Sequence, residues 1–525
     1  MATDAKEDMR SRNDPVDIAE DDNSLDEKKG NSLDRADMYR MGKVQEMRRN
    51  FRFVSIFGFS MILMASWEAA LSIAVIGLMN GGTAGMIWSY FVCWMGFLLV
   101  NTSMAEMGSM APTSGGQYHW VSEFAPRQHQ KIMSFLMGWT CIIGWQALAA
   151  STAFVAGSQL CGLIVMAYPE TYVFERWHAT LLTMAMAAFS VLFNTVLSRK
   201  LPLVEGIVLI IHMFAFVGIL VTLWVLAPRA EASVVFTEFT DGGGWGSVGT
   251  SVVVGMLAGA LPLLGADAAV HMSEELRDAS RTLPKTMILS TIVNGAMGWI
   301  MVITFCMCIG SLEEALASPT GVPFMQVFLN ATQSPSSAIG MSCFITILTM
   351  FCNITMVATA SRQLFAFARD QGVPFSGWLS QVRPGWDVPA NSIFVTFVVT
   401  SLLSLINVGS PVALNSITSL STSALLSTYI ASISCIIWRR ATGQPMLKSP
   451  FSLGKWGLPI NIASVVFLCF IFIVAFMPPT PNPTPDLMNW TILIYGIVML
   501  GSVVYFVLRG RHRYAGPVAY VRQLE

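Results

Sequence analysis

The amino-acid sequence predicts an all-α integral membrane protein with twelve transmembrane helices. Three observations indicate this class: the chain is 54% hydrophobic, only 12% of its residues are charged, and long apolar segments recur along its length. Soluble globular proteins carry roughly 25% charged residues, so about half of the usual charge is missing here. A bilayer core of about 30 Å requires about 20 predominantly apolar residues per helix. Twelve segments of that kind argue against the core helices of a soluble protein.

The apolar segments follow one another from residue 53 to residue 508. Their predicted bounds are 53–79, 86–108, 133–166, 179–198, 203–226, 248–270, 286–310, 337–361, 391–408, 412–438, 457–477 and 488–508. The third is long for one span, but no charged residue lies between Lys131 and Glu170. We therefore interpret it as one tilted helix.

Two polar tails flank the predicted transmembrane domain of residues 51–508. Residues 1–50 mix acidic and basic side chains with few apolar ones, a composition that predicts a disordered tail. No apolar stretch lies near Met1, so no cleaved secretory signal is expected. Residues 509–525 form the second tail.

The distribution of Lys and Arg predicts the orientation. Five alternate loops contain fourteen of these residues, whereas the other six loops contain two, Arg176 and Arg229. The fourteen are Arg127, Lys131, Arg199, Lys200, Arg277, Arg281, Lys285, Arg362, Arg369, Arg383, Arg439, Arg440, Lys448 and Lys455. Because cytoplasmic loops retain Lys and Arg, both termini are expected in the cytoplasm. The sequon Asn330-Ala331-Thr332 then lies in an outer loop and predicts glycosylation at Asn330.

Composition and residue spacing exclude several classes of function. The 31 basic and 32 acidic residues nearly cancel, which argues against a nucleic-acid partner. All nine cysteines lie in apolar segments and the six histidines are scattered, so no disulfide framework, metal site or cofactor is expected. No catalytic cluster or phosphate-binding loop is present, which argues against an enzyme. The 50-residue tail is too small to suggest a nutrient receptor.

The sixth span contains a candidate helix break. Pro262 removes a backbone donor, and Gly259 and Gly265 weaken the helix around it. Transporters place binding sites at such interruptions, so Gly259 and Ala260 are candidate substrate contacts, with Asp267 as a candidate coupling residue. A kinked but continuous helix, or close packing of small residues, is the alternative.

The first span contains Glu68 near its middle, next to Ser66 and Trp67. No basic residue in any span is expected at that depth, which leaves a bound cation, a proton or polar neighbours as its partner. Trp67 offers a π face for an ammonium group. These three are candidate substrate contacts, and Glu68 is also a candidate coupling residue. The alternative is a protonated Glu68 hydrogen-bonded between helices.

Several other polar residues lie within spans. Gln146, Asn353 and Ser423 are candidate substrate contacts at mid-depth, although interhelical hydrogen bonds or simple packing are the better explanation for each. Glu106 and Glu205 lie near span ends, where a hydrated or structural role is expected.

Three sequence motifs carry a resemblance to a known family. Residues 111–126, which follow Ala105-Glu106, read APTSGGQYHWVSEFAP, residues 265–275 read GADAAVHMSEE, and residues 360–370 read ASRQLFAFARD. They resemble the amino acid–polyamine–organocation superfamily, and within it the fungal amino acid/choline transporter family. The resemblance runs from about Phe51 to Arg513.

The resemblance implies a LeuT-like fold with an inverted five-plus-five repeat. Repeat one would span residues 51–226 and repeat two residues 248–438, each opening with an interrupted helix, and helices 11 and 12 (457–508) are additions. It also implies proton symport of amino acids, γ-aminobutyrate, choline or related amines across a plasma membrane. Many members have a glycine-rich first-span break, which residues 64–68 lack, and this favours an amine-centred substrate. Export or intracellular transport of a nitrogenous metabolite such as an alkaloid is the alternative.

Charged residues near the inner ends of spans 6 and 8 form a candidate gate. Arg362 and Arg369 are seven residues apart and share one helix face. They are candidates to pair with Glu274 and Glu275 when the cytoplasmic side is closed.

Overall fold

A computed structural model of the protein describes residues 30–383, 385–409, 411–485 and 488–517. Within them, twelve helices are long and apolar enough to cross a membrane, as the sequence predicts. These spans 1 to 12 are Phe53–Ser72, Gly82–Met110, Gln130–Ala167, Arg176–Asn194, Ser198–Leu226, Val248–His271, Ala279–Cys308, Pro335–Arg369, Ala390–Gly409, Ser419–Ala441, Gly454–Val474 and Thr491–Arg513. Span 3 is a single helix of 38 residues, which confirms the interpretation of its unusual length.

Spans 1 and 6 are interrupted, and each opens one five-helix repeat. Span 1 consists of Phe53–Met64 and Ser66–Ser72. Span 6 consists of Val248–Ala260, a 3-10 turn at Leu261–Leu263, and Ala268–His271. The break at Pro262 is thus an interruption rather than a kink.

Shorter elements connect the spans. They are Ala74–Met79, Gln117–Phe124, Ala232–Thr237, Ser273–Glu275, Leu312–Leu316, Pro323–Thr332 and Ser376–Leu379, with strands Asn80–Gly81 and Thr240–Asp241. Inside span 5 the α-helix is Leu201–Leu226, and inside span 11 it is Gly457–Val474. Span 10 extends an α-helix that begins at Pro411, and span 12 contains a π-helical turn at Phe506–Gly510. The two strands pair antiparallel.

We call the end of the bundle that carries the fourteen loop Lys and Arg residues the basic end. Residues 30–51, which we call the N-terminal strap, pack there. The strap contains a helix at Ser32–Arg40, and the Asn31 side chain caps it by accepting from the Asp34 N–H at 2.8 Å. The predicted disorder of residues 1–50 is therefore wrong for residues 30–50. It fails because the strap is held by hydrogen bonds to charged loops and by burial of Met38, Met41 and Phe51 in the hydrophobic core. Residues 1–29 lie outside the described part of the chain.

The chain also returns to the basic end after span 12. Tyr514 is fully buried, and its hydroxyl lies 2.5 Å from Ser134 Oγ on span 3. Its ring packs edge-on against Phe135, with centroids 5.3 Å apart. The segment after span 12 is therefore anchored to the bundle as far as this tyrosine.

Candidate functional site

The break in span 1 is made by Ala65. This residue has φ 40° and ψ 45°, the left-handed conformation, which costs about 1–2 kcal/mol for a residue with a side chain. The chain is therefore broken without a glycine. The missing glycine at residues 64–68 no longer argues against a substrate carboxylate at this position.

The two breaks are in direct contact. Ser66 Oγ donates a hydrogen bond of 2.7 Å to the carbonyl oxygen of Pro262. Pro262 lacks an N–H, so the helix ends there, and Gly265 with φ 96° lets the chain turn before it restarts. Ser66 and the span 6 break therefore form one junction.

Glu68 is paired with a histidine. Glu68 is 1% exposed, and its Oε1 lies 2.7 Å from His212 Nδ1 on span 5. Glu68 Oε2 and His212 Nε2 have no hydrogen-bond partner in the described protein. The expectation that no basic residue lies at the depth of Glu68 is wrong, because the packing of span 5 against span 1 brings His212 to it.

Trp67 forms an aromatic wall beside this pair. Its ring centroid lies 5.8 Å from that of His212 and 5.9 Å from that of Phe216. The Trp67 side chain is fully buried, and its Nε1 has no partner among the described residues. The predicted π surface therefore faces the His212 ring, where a positive charge would be favoured.

Asp267 belongs to a separate polar network on the side of the span 6 break that is nearer to the basic end. Gln117 Nε2 donates to Asp267 Oδ2 at 2.6 Å, and the Tyr429 hydroxyl donates to Oδ1 at 2.5 Å. His271 Nε2 lies 3.6 Å from the same carboxyl. This buried network joins span 6 to span 10 and to the helix Gln117–Phe124.

The predicted gate pairs are present. Arg369 donates to both carboxyl oxygens of Glu274, at 2.7 and 2.9 Å, and Arg362 Nε donates to Glu275 at 2.8 Å. Burial opposes the charged form of Glu274, but the Arg369 guanidinium and its hydrogen bonds hold the pKa of that carboxyl below its usual range. These pairs join the residues that follow span 6 to span 8 at the basic end.

The N-terminal strap contacts the same residues. Lys43 forms an ion pair with Asp370, and Gln45 Nε2 donates to the Glu274 carbonyl oxygen at 2.7 Å. Phe51 N donates to the Glu275 carbonyl oxygen at 2.9 Å. The strap thus holds the residues that follow spans 6 and 8.

The remaining predicted contacts form hydrogen bonds or packing contacts elsewhere. Gln146 Nε2 donates to Thr396 at 2.9 Å, and Ser423 Oγ donates to the carbonyl of its own helix four residues earlier at 3.3 Å. Asn353 accepts from Ser190 at 2.7 Å and donates to the Ala149 carbonyl at 2.8 Å.

Three more predicted site residues, Gly259, Ala260 and Asn330, lie in described parts of the chain. Gly259 lies against span 2, where an added Cβ would be 2.8 Å from Tyr90 Cα, and Ala260 is buried at the end of its half-helix. Their substrate roles remain predictions. Asn330 lies on the helix Pro323–Thr332, where its side chain bonds Glu314 at 3.2 Å. Its glycosylation also remains a prediction.

Sequence reasoning missed four partners in these clusters. Gln117 and His271 lie inside the quoted motifs, so the motifs were the available signal. His212 and Tyr429 lie in otherwise apolar stretches, where a lone titratable or polar side chain was the only signal.

Comparisons with known proteins agree with this architecture. The family model described as amino acid permease matches residues 51–499. A Macrophomina phaseolina protein named as an amino acid/polyamine transporter is 32% identical over 440 residues, which cover 83% of this chain and 96% of that protein. The Saccharomyces cerevisiae choline transporter is 26% identical, with 89% of this chain and 83% of that one covered.

A further relative and a solved structure extend the comparison. Amino-acid permease 2 of Neurospora crassa is 24% identical over 91% of this chain and 88% of its own length. A crystal structure of the Eremococcus coleocola manganese transporter superimposes with a TM-score of 0.51 at 10% identity, covering 90% of this chain and 96% of that one. This likeness concerns the fold alone. The chain belongs to the amino acid permease family of the amino acid–polyamine–organocation superfamily, whose members are transporters and not enzymes.

Proposed function

We propose that this permease is a secondary active transporter that carries a small amine or amino acid and couples it to protons by alternating access. The observation that carries the proposal is the Glu68–His212 pair beside the joined helix breaks. A carboxylate placed within a membrane span is costly unless it is paired, protonated or hydrated. Here its partner is His212, whose imidazole exists in a neutral or a charged form.

The pair has capacity for one further ligand. Glu68 Oε2 and His212 Nε2 are both buried without a partner among the described residues. When His212 carries an added proton, the net charge of the pair is zero. Without that proton, Glu68 retains a negative charge that an ammonium group can neutralise. The same carboxylate can therefore bind either the coupled proton or the amine of the substrate.

Burial of the junction fits an alternating-access cycle. Ser66, Trp67 and Glu68 are all buried, so the junction is occluded in this conformation. The Arg362 and Arg369 ion pairs and the strap close the basic end. Opening toward that end requires these pairs to separate.

We further propose that the basic end faces the cytoplasm of a plasma-membrane transporter. The fourteen-to-two bias of loop Lys and Arg supports this orientation. Ala317→Cys, an exposed position at the opposite end, should react with an impermeant maleimide on intact cells. Lys200→Cys, exposed at the basic end, should react only after permeabilisation. The reverse result would overturn the orientation.

The transport activity is tested with purified protein in liposomes. Radiolabelled amino acids, γ-aminobutyrate, choline and a polyamine are offered under an inward proton gradient, without sodium. We expect one of these classes to accumulate and to be lost on addition of a protonophore. Accumulation that requires sodium and survives the protonophore would refute proton coupling. Net flux measured in the opposite direction would favour an exporter.

A further inference from the structure

Besides Glu68 on span 1, a carboxyl group on span 5, that of Glu205, is buried within the bundle. The twelve spans contain four acidic side chains: Glu68, Glu106, Glu205 and Asp267. Three of them are partnered, Glu106 by two bonds of 2.7 Å from Arg440. Glu205 is fully buried, and neither of its carboxyl oxygens has a hydrogen-bond partner in the described part of the chain.

The groups around Glu205 do not neutralise a negative charge. The facing helix of span 1, Phe53–Met64, contains no titratable side chain. Span 8 packs against span 5 and contains the buried Cys352, whose thiol carries no positive charge. Span 7 carries two cations at the basic end, Arg281 and Lys285. Both are exposed, and neither forms an ion pair with Glu205 in the described part of the chain. An unpartnered buried carboxyl is stable only in its neutral form, so Glu205 holds a proton in this conformation.

Glu205 is aligned with the Glu68–His212 pair. Glu205 and His212 are seven residues apart on span 5, which places them on one helix face with an axial separation of about 10 Å. Both residues are buried. Glu205 is the one nearer to the basic end, because span 5 begins at that end.

The first half of span 1 covers Glu205. An added Cβ at Gly58 would lie 3.1 Å from the Glu205 carbonyl oxygen, so the two helices are in close contact there. The break at Ala65 separates this half-helix from the half that carries Glu68. A movement of Phe53–Met64 about the break would expose Glu205 to water while leaving the second half-helix in place.

We propose that Glu205 is the residue from which the coupled proton leaves on the basic side. This inference rests on the proposed proton coupling and adds a second proton-carrying residue to it. In the closed state Glu205 is a neutral carboxylic acid. When Phe53–Met64 moves away, the O–H bond breaks, the proton passes to entering water, and a carboxylate remains. The proton of the Glu68–His212 pair then restores the acid through that water, so one proton enters and one leaves per cycle.

The test uses wild-type protein and Glu205→Gln in liposomes, loaded with the solute that wild type accumulates. Glu205→Gln is nearly isosteric and cannot release a proton. We expect exchange of internal for external solute to stay within twofold of wild type. Accumulation driven by a proton gradient, and the acidification of an internal pH dye, should fall at least tenfold. The control is Glu238→Gln, an exposed position at the opposite end, which should leave both measurements unchanged.

The outcomes separate this inference from the proposed function. If wild type accumulates solute and Glu205→Gln accumulates equally, proton coupling stands and the role of Glu205 is refuted. If wild type shows no proton-driven accumulation, the proposed function itself fails, and this inference fails with it. Should Glu205→Gln not fold, Glu205→Asp decides: a displaced pH profile of accumulation supports the role, and an identical profile contradicts it.

Discussion

The basic end and the middle of the bundle both contain buried carboxylates, but they pair them differently. At the basic end Glu274 and Glu275 face arginines, which remain charged at all physiological pH values. At the helix breaks Glu68 faces His212, whose imidazole exists in a neutral or a charged form. Fixed charges hold elements together, whereas a titratable pair can change state during a cycle. The comparison fits the proposed roles, closure for the first region and coupling for the second.

The largest effect is expected from breaking a fixed pair. Arg369→Met leaves Glu274 buried without its guanidinium, and we expect a loss of about 3–5 kcal/mol in the free energy of unfolding. Thermal unfolding in detergent measures it. Adding Glu274→Gln should recover much of the loss, and Arg281→Met, an exposed arginine, should change little. An Arg369→Met protein as stable as wild type would show that this pair does not secure the closed state.

Removing the charge of Glu68, in the middle of the bundle, should affect transport more than stability. Glu68→Gln keeps the size and hydrogen-bonding capacity of the side chain. We expect normal surface expression and uptake reduced about 10- to 100-fold, the range for loss of a hydrogen bond to a charged group. If Glu68 binds the substrate amine, the apparent affinity also weakens. Unchanged affinity and unchanged accumulation would reduce Glu68 to a packing residue.

His212→Gln sharpens the distinction between binding and coupling. The amide can still donate to Glu68 but cannot take up a proton at neutral pH. We expect solute exchange to persist, proton-driven accumulation to fall about tenfold, and the pH dependence of uptake to flatten. A pH profile that matches wild type would remove His212 from the coupling step.

The smallest effect is expected at the strap. Burial lowers the pKa of Lys43 despite its pairing with Asp370. Because the folded state then binds fewer protons than the unfolded chain, this lysine adds stability only as pH rises toward its ordinary value of about 10.4. At pH 7 we expect Lys43→Met to lower the free energy of unfolding by less than the about 3–5 kcal/mol of Arg369→Met, because Asp370 keeps the hydrogen bond of 2.9 Å from the Tyr118 hydroxyl. A loss as large as that of Arg369→Met would place the strap among the main closing elements.

The sequence predicted the helices better than their contacts. Span number and the Pro262 break followed from apolar length and from proline chemistry, and the pairing of Arg362 and Arg369 with the Glu274 region followed from helix spacing. The Glu68–His212 pair did not, because the relative depth of spans 1 and 5 is set by packing, such as that at Gly58. The Ala65 break was also hard to foresee, since alanine seldom adopts φ 40°. The prediction of disorder from composition was wrong for residues 30–50, because composition takes no account of the distant parts of the chain against which a segment packs.

The order of synthesis gives the strap a particular place in assembly. Arg40 donates to the Lys448 carbonyl oxygen at 3.0 Å, across 408 positions of the chain. Arg40 also donates to the Met110 carbonyl oxygen at 2.6 Å. The strap precedes all twelve spans in the chain, yet it reaches its fully docked position only after ten spans have been inserted. Complete docking of the strap therefore depends on contacts that form late, when only spans 11 and 12 remain to be added.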